Sequence, residues 1–451
     1  MNNLVGTTYF VQTFGCQMNK HDSERVCGIL DSLGSTQVSS IEESDIVVFM
    51  TCCVREAADV RLYGQVASLK NIPLPKNSQL SKRVIAIGGC IGQRDGEKLT
   101  NEMKHVDVVF GTHNLHSFSS LILEAINNHK QCVEILDSSD RFLDDLPITR
   151  EHPWAAWLPI TMGCNNFCTY CVVPYVRGRE KSRPLEEIII EAQKYIDSGV
   201  KEITLLGQNV NSYGRDLYGE PKFAHLLKEI DALGIQRLRF ATSHPKDITD
   251  EVIEDFGKLK SLMPYLHLPF QSGSNRILEL MNRRYTRQHY LGLIEKIRKV
   301  NPEIALSTDI IVGFPGETEE DFLDTLSLVK EVGFQQAFTF IYSKREGTPA
   351  AEMEQNASDE EIQDRFNRLV EAVQDCAFAS NQSDLGKTID VIVEGGSKRD
   401  ASLISGKSPK NQTVHAKIPE GKCAEDLIGE TLKVRITEAK TWYLLGTIVN
   451  A

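Results

Sequence analysis

The chain has 451 residues, enough for two to four domains at roughly 150 residues each, with several buried cores. Apolar residues make up 41% and charged residues 25%, a globular balance that excludes intrinsic disorder and a fibrous repeat. The net charge of −12 argues against nucleic-acid binding through global charge but leaves room for a local basic patch.

No run of about 18 apolar residues occurs, so no transmembrane helix is expected. Residues 1–10 lack a basic stretch ahead of an apolar one, so no secretory leader is expected and a cytoplasmic enzyme is. In a reducing compartment, the 11 cysteines are better read as metal ligands or catalytic thiols than as disulfides.

Along the chain, residues 7–13 read as a strand and 19–33 as an amphipathic helix. Residues 45–50 (DIVVFM) form a continuous apolar run, as a buried parallel strand should. Residues 84–87 and 106–110 repeat it, with helices at 97–104 and 115–127. This alternation predicts an N-terminal doubly wound parallel sheet over 1–130. Residues 131–153, rich in Asp and nearly aperiodic, read as a linker.

A second alternating series follows over 154–382. Its strands are 158–162, 202–206, 237–241, 265–268, 305–311 and 337–341. Helices fall at 184–198, 223–233, 277–281, 286–300 and 319–332. Six units are too few for a closed eight-fold barrel, so a partial (β/α)6 barrel is expected, with its site at the C-terminal strand ends. A long helix over 358–380 precedes a small all-β barrel over 383–451, with strands at 388–393, 415–418, 431–436 and 444–449. That last module carries a net +1 and the rest −13.

Three cysteines lie within eight residues, as Cys164, Cys168 and Cys171. Three thiolates on such a loop hold three irons of a 4Fe-4S cubane and leave the fourth open to a chelating molecule. S-adenosylmethionine (SAM) binds in this way through its amine and carboxylate, and is then cleaved to a 5′-deoxyadenosyl radical. Structural zinc sites want four ligands, and no second cysteine pair follows nearby.

Residues 162–178 (MGCNNFCTYCVVPYVRG) resemble the radical-SAM motif of the methylthiotransferases. The resemblance runs the length of the chain. Residues 13–19 (TFGCQMN), Thr51-Cys52 and 88–90 (GGC) resemble the three cysteine sites of that family's N-terminal domain. Residues 206–213 (LGQNVNSY), 239–245 (RFATSHP), 267–273 (HLPFQSG) and 311–317 (IVGFPGE) resemble its barrel motifs, and the C-terminal module a TRAM domain. Among the branches, TFGCQMN and GQNVNSY look most like those acting on N6-dimethylallyladenosine of tRNA.

The resemblance implies two 4Fe-4S clusters, one on Cys16, Cys52 and Cys90 and one on Cys164, Cys168 and Cys171. It also implies insertion of a methylthio group at carbon 2 of the adenine at tRNA position 37. One SAM would supply the methyl group and a second the radical. Cys16, Cys52 and Cys90 each follow a predicted strand of one sheet, which places them along one edge; that placement also suits three buried structural cysteines. Successive side chains on a strand face opposite ways, so only one of Cys52 and Cys53 should reach an iron; the family pattern assigns Cys52. Cys27, Cys132, Cys376 and Cys423 read as structural.

Tyr170, Gln208, Ser243, Gln271, Ser272 and Asp309 are candidate SAM contacts, although loop capping suits the same residue types. Arg177, Arg179, Lys181 and Arg183 could clamp phosphates or be a solvated charged loop. Trp442, with Tyr443, could stack on bases or belong to the small barrel's core. The expected partners are the tRNA anticodon stem-loop and an electron donor such as flavodoxin or ferredoxin, with no membrane, and a monomer is expected. Rival readings are a sister methylthiotransferase acting on threonylcarbamoyl-adenosine in tRNA or on a ribosomal-protein aspartate, and a non-catalytic, metal-stabilised RNA-binding protein.

Overall fold

The computed structural model describes residues 3–53, 56–139, 142–143 and 145–449. The first elements are β1 (Thr8–Thr13), α1 (Gln17–Ser32), β2 (Thr36–Gln37), β3 (Ile46–Thr51), α2 (Glu56–Ser68), β4 (Val84–Gly89), α3 (Cys90–Asp95), α4 (Glu97–Glu102), β5 (Val108–Phe110), α5 (Phe118–Asn128) and β6 (Cys132–Glu134). Next come β7 (Ala155–Pro159), β8 (Thr161–Met162), α6 (Val173–Val176), β9 (Lys181–Ser182), α7 (Leu185–Asp197), β10 (Glu202–Leu206), α8 (Arg215–Tyr218), α9 (Phe223–Ala232), β11 (Arg237–Phe240) and α10 (Asp250–Lys258). Then follow β12 (Tyr265–His267), α11 (Asn275–Leu280), α12 (Arg287–Val300), β13 (Ala305–Val312), α13 (Glu319–Val332), β14 (Gln336–Ile341) and α14 (Asp359–Gln382). The chain ends with β15 (Thr388–Gly396), β16 (Leu403–Lys407), β17 (Thr413–Lys417), β18 (Thr431–Ala439) and β19 (Tyr443–Ile448).

Two compact units result. The first comprises Met1–Glu151, Met162–Asn165 and Cys171–Arg183; the second comprises His152–Thr161, Asn166–Tyr170 and Pro184–Ala451. In the first, six parallel strands run in the order β2-β1-β3-β4-β5-β6. Strand alternation builds its two cores. Ile46, Val48 and Met50 of β3 enter one apolar cluster, and Val47 and Phe49 enter the other. Every residue of β3 and β4 is buried, which explains their unbroken apolar runs. Two parts of this sheet depart from expectation. β2 and β6 are two and three residues long, too short to show a period, and β6 occupies the start of the expected linker.

In the second unit the six expected parallel strands form two three-stranded sheets, β11-β10-β7 and β12-β13-β14. A single parallel bridge, Leu238 to Leu262, lies between the β11 and β12 regions. The helices pack their apolar faces on this arc to form the largest core. Helix α14 opens with a capping box in which Ser358 and Glu361 each accept from the other's main-chain N–H.

The C-terminal strands close into a barrel in the order β15-β16-β17-β19-β18. β16 was not among the expected strands, because its Ser405-Gly406 pair masks the alternation. This barrel is no loosely hung module. Arg237 and Arg239, two apart on β11, share one face and donate to the main-chain oxygens of Lys407, Asp390, Pro409 and Ser408 at 2.8–2.9 Å. Gln335 and Lys201 add bonds to Lys410 O and Gly429 O. Among the described residues, no helix is long and apolar enough to cross a membrane.

Candidate functional site: two cysteine sites

In the six-stranded sheet, the chain leaves β1 toward β2 on one side, while β3 lies on the other. That reversal makes the β1/β3 boundary the switch point where ligands settle in doubly wound sheets. Cys16 follows β1, Cys52 follows β3, and Cys90 follows β4. Cys16 caps the N-terminus of the 16-residue α1, where main-chain N–H groups favour a thiolate. The Cys16 thiol is drawn down to about 6, chiefly by its hydrogen bond with the Cys52 thiol, with Arg177 and the Asn19 and Met18 amides adding to it. Cys90 is drawn down to about 7, first by Cys53 and then by Arg177.

Two glycines permit the close approach of these strand ends. Gly15 has φ +111°, and a Cβ there would lie 2.2 Å from Cys52 Cβ. Gly89 has φ +86°, and its Cβ would meet Thr51 O at 2.6 Å. Thr51 fixes the neighbouring turn: its hydroxyl donates to Gly88 O at 2.6 Å and accepts from Ile91 N at 3.1 Å. Gly15→Ala is therefore expected to destabilise the chain by about 1–3 kcal/mol from backbone strain alone. Its urea midpoint should fall and its iron content drop.

Cys53 departs from the expected geometry. The chain bends after Thr51, so strand alternation no longer applies: the free Cys52 thiol interacts with Cys16, and the free Cys53 thiol with Cys90 from within an apolar cluster. Burial and the Cys90 contact push the Cys53 thiol far up, whereas Cys16 is exposed. Among the described residues, no three His, Cys, Asp or Glu side chains surround a single-ion position. A cubane instead asks for one thiolate per iron. Soft donors at low proton affinity, beside a buried cation, fit an iron–sulfur group.

Of the second cysteine set, Cys164 and Cys171 belong to the first unit and Cys168 to the second. Within the second unit, the 166–170 segment is held by the turn after α11. Asn282 donates to Phe167 O at 2.9 Å, and Thr169 donates to Leu280 O at 2.8 Å. Arg283 is buried and donates to Cys168 Sγ at 3.5 Å and to Pro269 O at 2.9 Å. These residues had no sequence signal, since their partners lie more than a hundred positions upstream.

Gln208 and Ser243 sit beyond the C-terminal ends of β10 and β11, and each has a buried side-chain oxygen without a hydrogen-bond partner. Such orphaned acceptors fit donors of a bound nucleoside or amino-acid group. Gln271 is bridged to Ile310 with φ +66°, and its amide donates to Asp309 O. Asp309 approaches His267 Nε2 at 3.5 Å. Ser272 differs from the expectation: its hydroxyl is engaged with Thr325 and with Ser274 N, so it secures the loop. Tyr170 lies edge-on to Phe314 at 6.5 Å, in a small apolar cluster.

The basic segment also divides. Arg179 is exposed and Lys181 half-buried, but Arg177 and Arg183 are buried. Arg177 donates to Asn19 Oδ1 at 2.9 Å and lies 3.3 Å from Asp22, while Arg183 covers the Phe142 ring at 5.6 Å. A four-residue phosphate clamp is therefore not what this segment presents; two of its cations are spent inside the first unit. Trp442 is 53% exposed, and Tyr443 lies edge-on to His415.

Comparison with known proteins shows the family. The Radical SAM superfamily matches residues 158–329, the uncharacterized protein family UPF0004 matches 8–111, and the TRAM domain matches 382–449. Among similar proteins are the tRNA-2-methylthio-N(6)-dimethylallyladenosine synthases of three bacteria. That of Acetivibrio thermocellus is 46% identical over 98% of this chain and 91% of its own. That of Clostridioides difficile is 47% identical over 98% and 91%, and that of Clostridium perfringens 46% over 100% and 99%. A radical SAM methyltransferase, TsrM from Kitasatospora setae, shares the fold at TM-score 0.54 and 12% identity, covering 77% of each chain.

A doubly wound sheet with cysteines at its switch point, a partial barrel with a three-cysteine loop and a closed TRAM barrel together define a radical-SAM methylthiotransferase. At this similarity over the full length, the chain belongs to the tRNA-2-methylthio-N6-dimethylallyladenosine synthase family.

Proposed function

We propose that the chain inserts a methylthio group at carbon 2 of N6-dimethylallyladenosine at position 37 of tRNA. The similarity over at least 98% of the chain to synthases of that name carries this reading. One 4Fe-4S cluster belongs to the Radical SAM family; Cys164, Cys168 and Cys171 are its proposed ligands. A second is proposed on Cys16, Cys52 and Cys90. Held by Cys164, Cys168 and Cys171, a cluster would supply the one-electron chemistry that cleaves SAM, which suits a carbon with no useful acidity.

The chain's own residues prepare that event. Gln208 and Ser243 offer acceptors at the strand ends. Arg283 orients and partly neutralises the Cys168 sulfur. A base in a single-stranded anticodon loop is splayed out at low cost. The electron donor is proposed to be a flavodoxin or ferredoxin, and the protein to work as a cytoplasmic monomer. Mass spectrometry of tRNA nucleosides from a deletion strain tests the function. Loss of the methylthio group from dimethylallyladenosine, restored by this gene, supports it; loss from threonylcarbamoyl-adenosine alone would favour the sister activity. A chain that binds tRNA and one metal but never cleaves SAM would instead be a scaffold.

The TRAM barrel supplies a further expectation. Removing residues 383–451 would strip Arg237 and Arg239 of their main-chain acceptors. Glu202 still pairs with both guanidiniums, at 3.8 and 3.0 Å, so the truncated chain should melt lower through the lost hydrogen bonds and bind tRNA more weakly, while SAM cleavage without tRNA is retained. Trp442→Ala, at an exposed position, should leave the melting temperature unchanged and weaken tRNA affinity severalfold, as measured by filter binding. Equal affinity of this variant and the parent would remove Trp442 from the RNA-contacting face.

A further inference from the structure

Arg177 was expected at an RNA surface, yet it is among the most deeply held cations of the molecule. It extends from the end of α6, six residues past Cys171, and belongs with α6 to the first compact unit. There it is 6% exposed. One guanidinium nitrogen donates to Asn19 Oδ1 at 2.9 Å and lies 3.3 Å from an Asp22 oxygen. Asn19 is itself fixed, donating to Phe14 O at 2.8 Å, and both residues sit on the first turns of α1 directly after Cys16. Cys90, Asp22 and Cys16 all favour the charged form of the guanidinium.

A buried guanidinium is costly unless its charge is answered. Asp22 answers it once, and Asp22 is also bonded to His21 at 3.3 Å. These bonds hold the guanidinium against the first turns of the helix that Cys16 caps. A cubane with three thiolates carries net negative charge, and nearby cations and N–H donors to its sulfurs raise its reduction potential.

We propose that Arg177 is the positioning residue of the N-terminal cysteine site: it supplies the counter-charge for a cluster on Cys16, Cys52 and Cys90, and Asp22 sets how much of that charge the cluster receives. This rests on the reading that such a cluster exists. It also makes the Cys164–Cys171 loop a contributor to the other site, since its own continuation ends in the cation that the first site uses. A purely structural arginine would tie α6 to α1 but leave the electronic properties of a cluster unchanged.

The test uses the full chain with Cys164, Cys168 and Cys171 all replaced by alanine, reconstituted anaerobically. Failure of this parent to hold about four irons would refute the second cluster itself, separately from the role of Arg177. If the cluster forms, its midpoint potential is read by EPR-monitored redox titration in three further variants. Arg177→Met should shift the potential to more negative values, and Arg177→Lys should restore part of that shift by keeping the charge. Asp22→Asn should shift it the opposite way, because the guanidinium then faces the cluster without its competing carboxylate. Potentials unchanged in both Arg177→Met and Asp22→Asn would overturn the proposal. Should Arg177→Met hold no cluster, Asp22→Asn decides alone: a positive shift supports the role, and no shift overturns it.

Discussion

Alanine at Cys164, Cys168 or Cys171 should abolish SAM cleavage while about half of the bound iron remains, one cubane of two. The proposal gives each thiolate one iron of a single cluster, so loss of any one of the three would leave that cluster short of a ligand. The structure sharpens the expectation for Cys168, whose sulfur receives the Arg283 guanidinium in a buried pocket. Removing that sulfur leaves Arg283 short of one acceptor, so Cys168→Ala should also lower the melting temperature, more than changes at the half-buried Cys164 and Cys171. Anaerobic incubation with dithionite and SAM, followed by chromatography of deoxyadenosine, reads the result. Deoxyadenosine formed at parental yield by any of the three variants would sink the assignment.

Substitution at the adjacent pair should split cleanly. Cys52→Ala is expected to lose the N-terminal iron, keep SAM cleavage at the other site, and stop methylthiolation. Cys53→Ser is expected to keep both clusters and most activity, with a stability loss of about 1–3 kcal/mol from placing a hydroxyl in an apolar pocket. The two thiols have different neighbours: Cys52 lies against Gly15 and interacts with the exposed Cys16, while Cys53 is fully buried among apolar side chains and interacts with Cys90. An iron ligand needs a path to iron, and the Cys16 side opens to solvent. Iron content and product yield decide it, and the reverse outcome would move the ligand to Cys53.

Much of the architecture is legible in the order of residues. Strand periodicity locates the six barrel strands, and the recurrence of cysteine after β1, β3 and β4 places three thiols on one sheet edge. What stays hidden is set by distant partners. Arg177 sits among three other basic residues and reads as surface charge; its true partners, Asn19 and Asp22, lie more than 150 positions upstream. Arg237 and Arg239 alternate as any strand residues do, and only their acceptors, over 150 positions downstream, reveal an anchor. The alternation rule for Cys52 and Cys53 fails because it holds only inside a strand, and β3 stops at Thr51.

The anchor of the C-terminal barrel is received by main-chain oxygens at residues 390, 407, 408 and 409. Every amino acid carries such an oxygen, so the attachment is blind to the side chains at those positions. Substitution at those four positions therefore leaves these bonds in place, while Lys387 and Lys410, which pair with Glu303, add side-chain contacts of their own to the seat. Drift is most restricted on the donor side, at Arg237 and Arg239 together with Lys201 and Gln335.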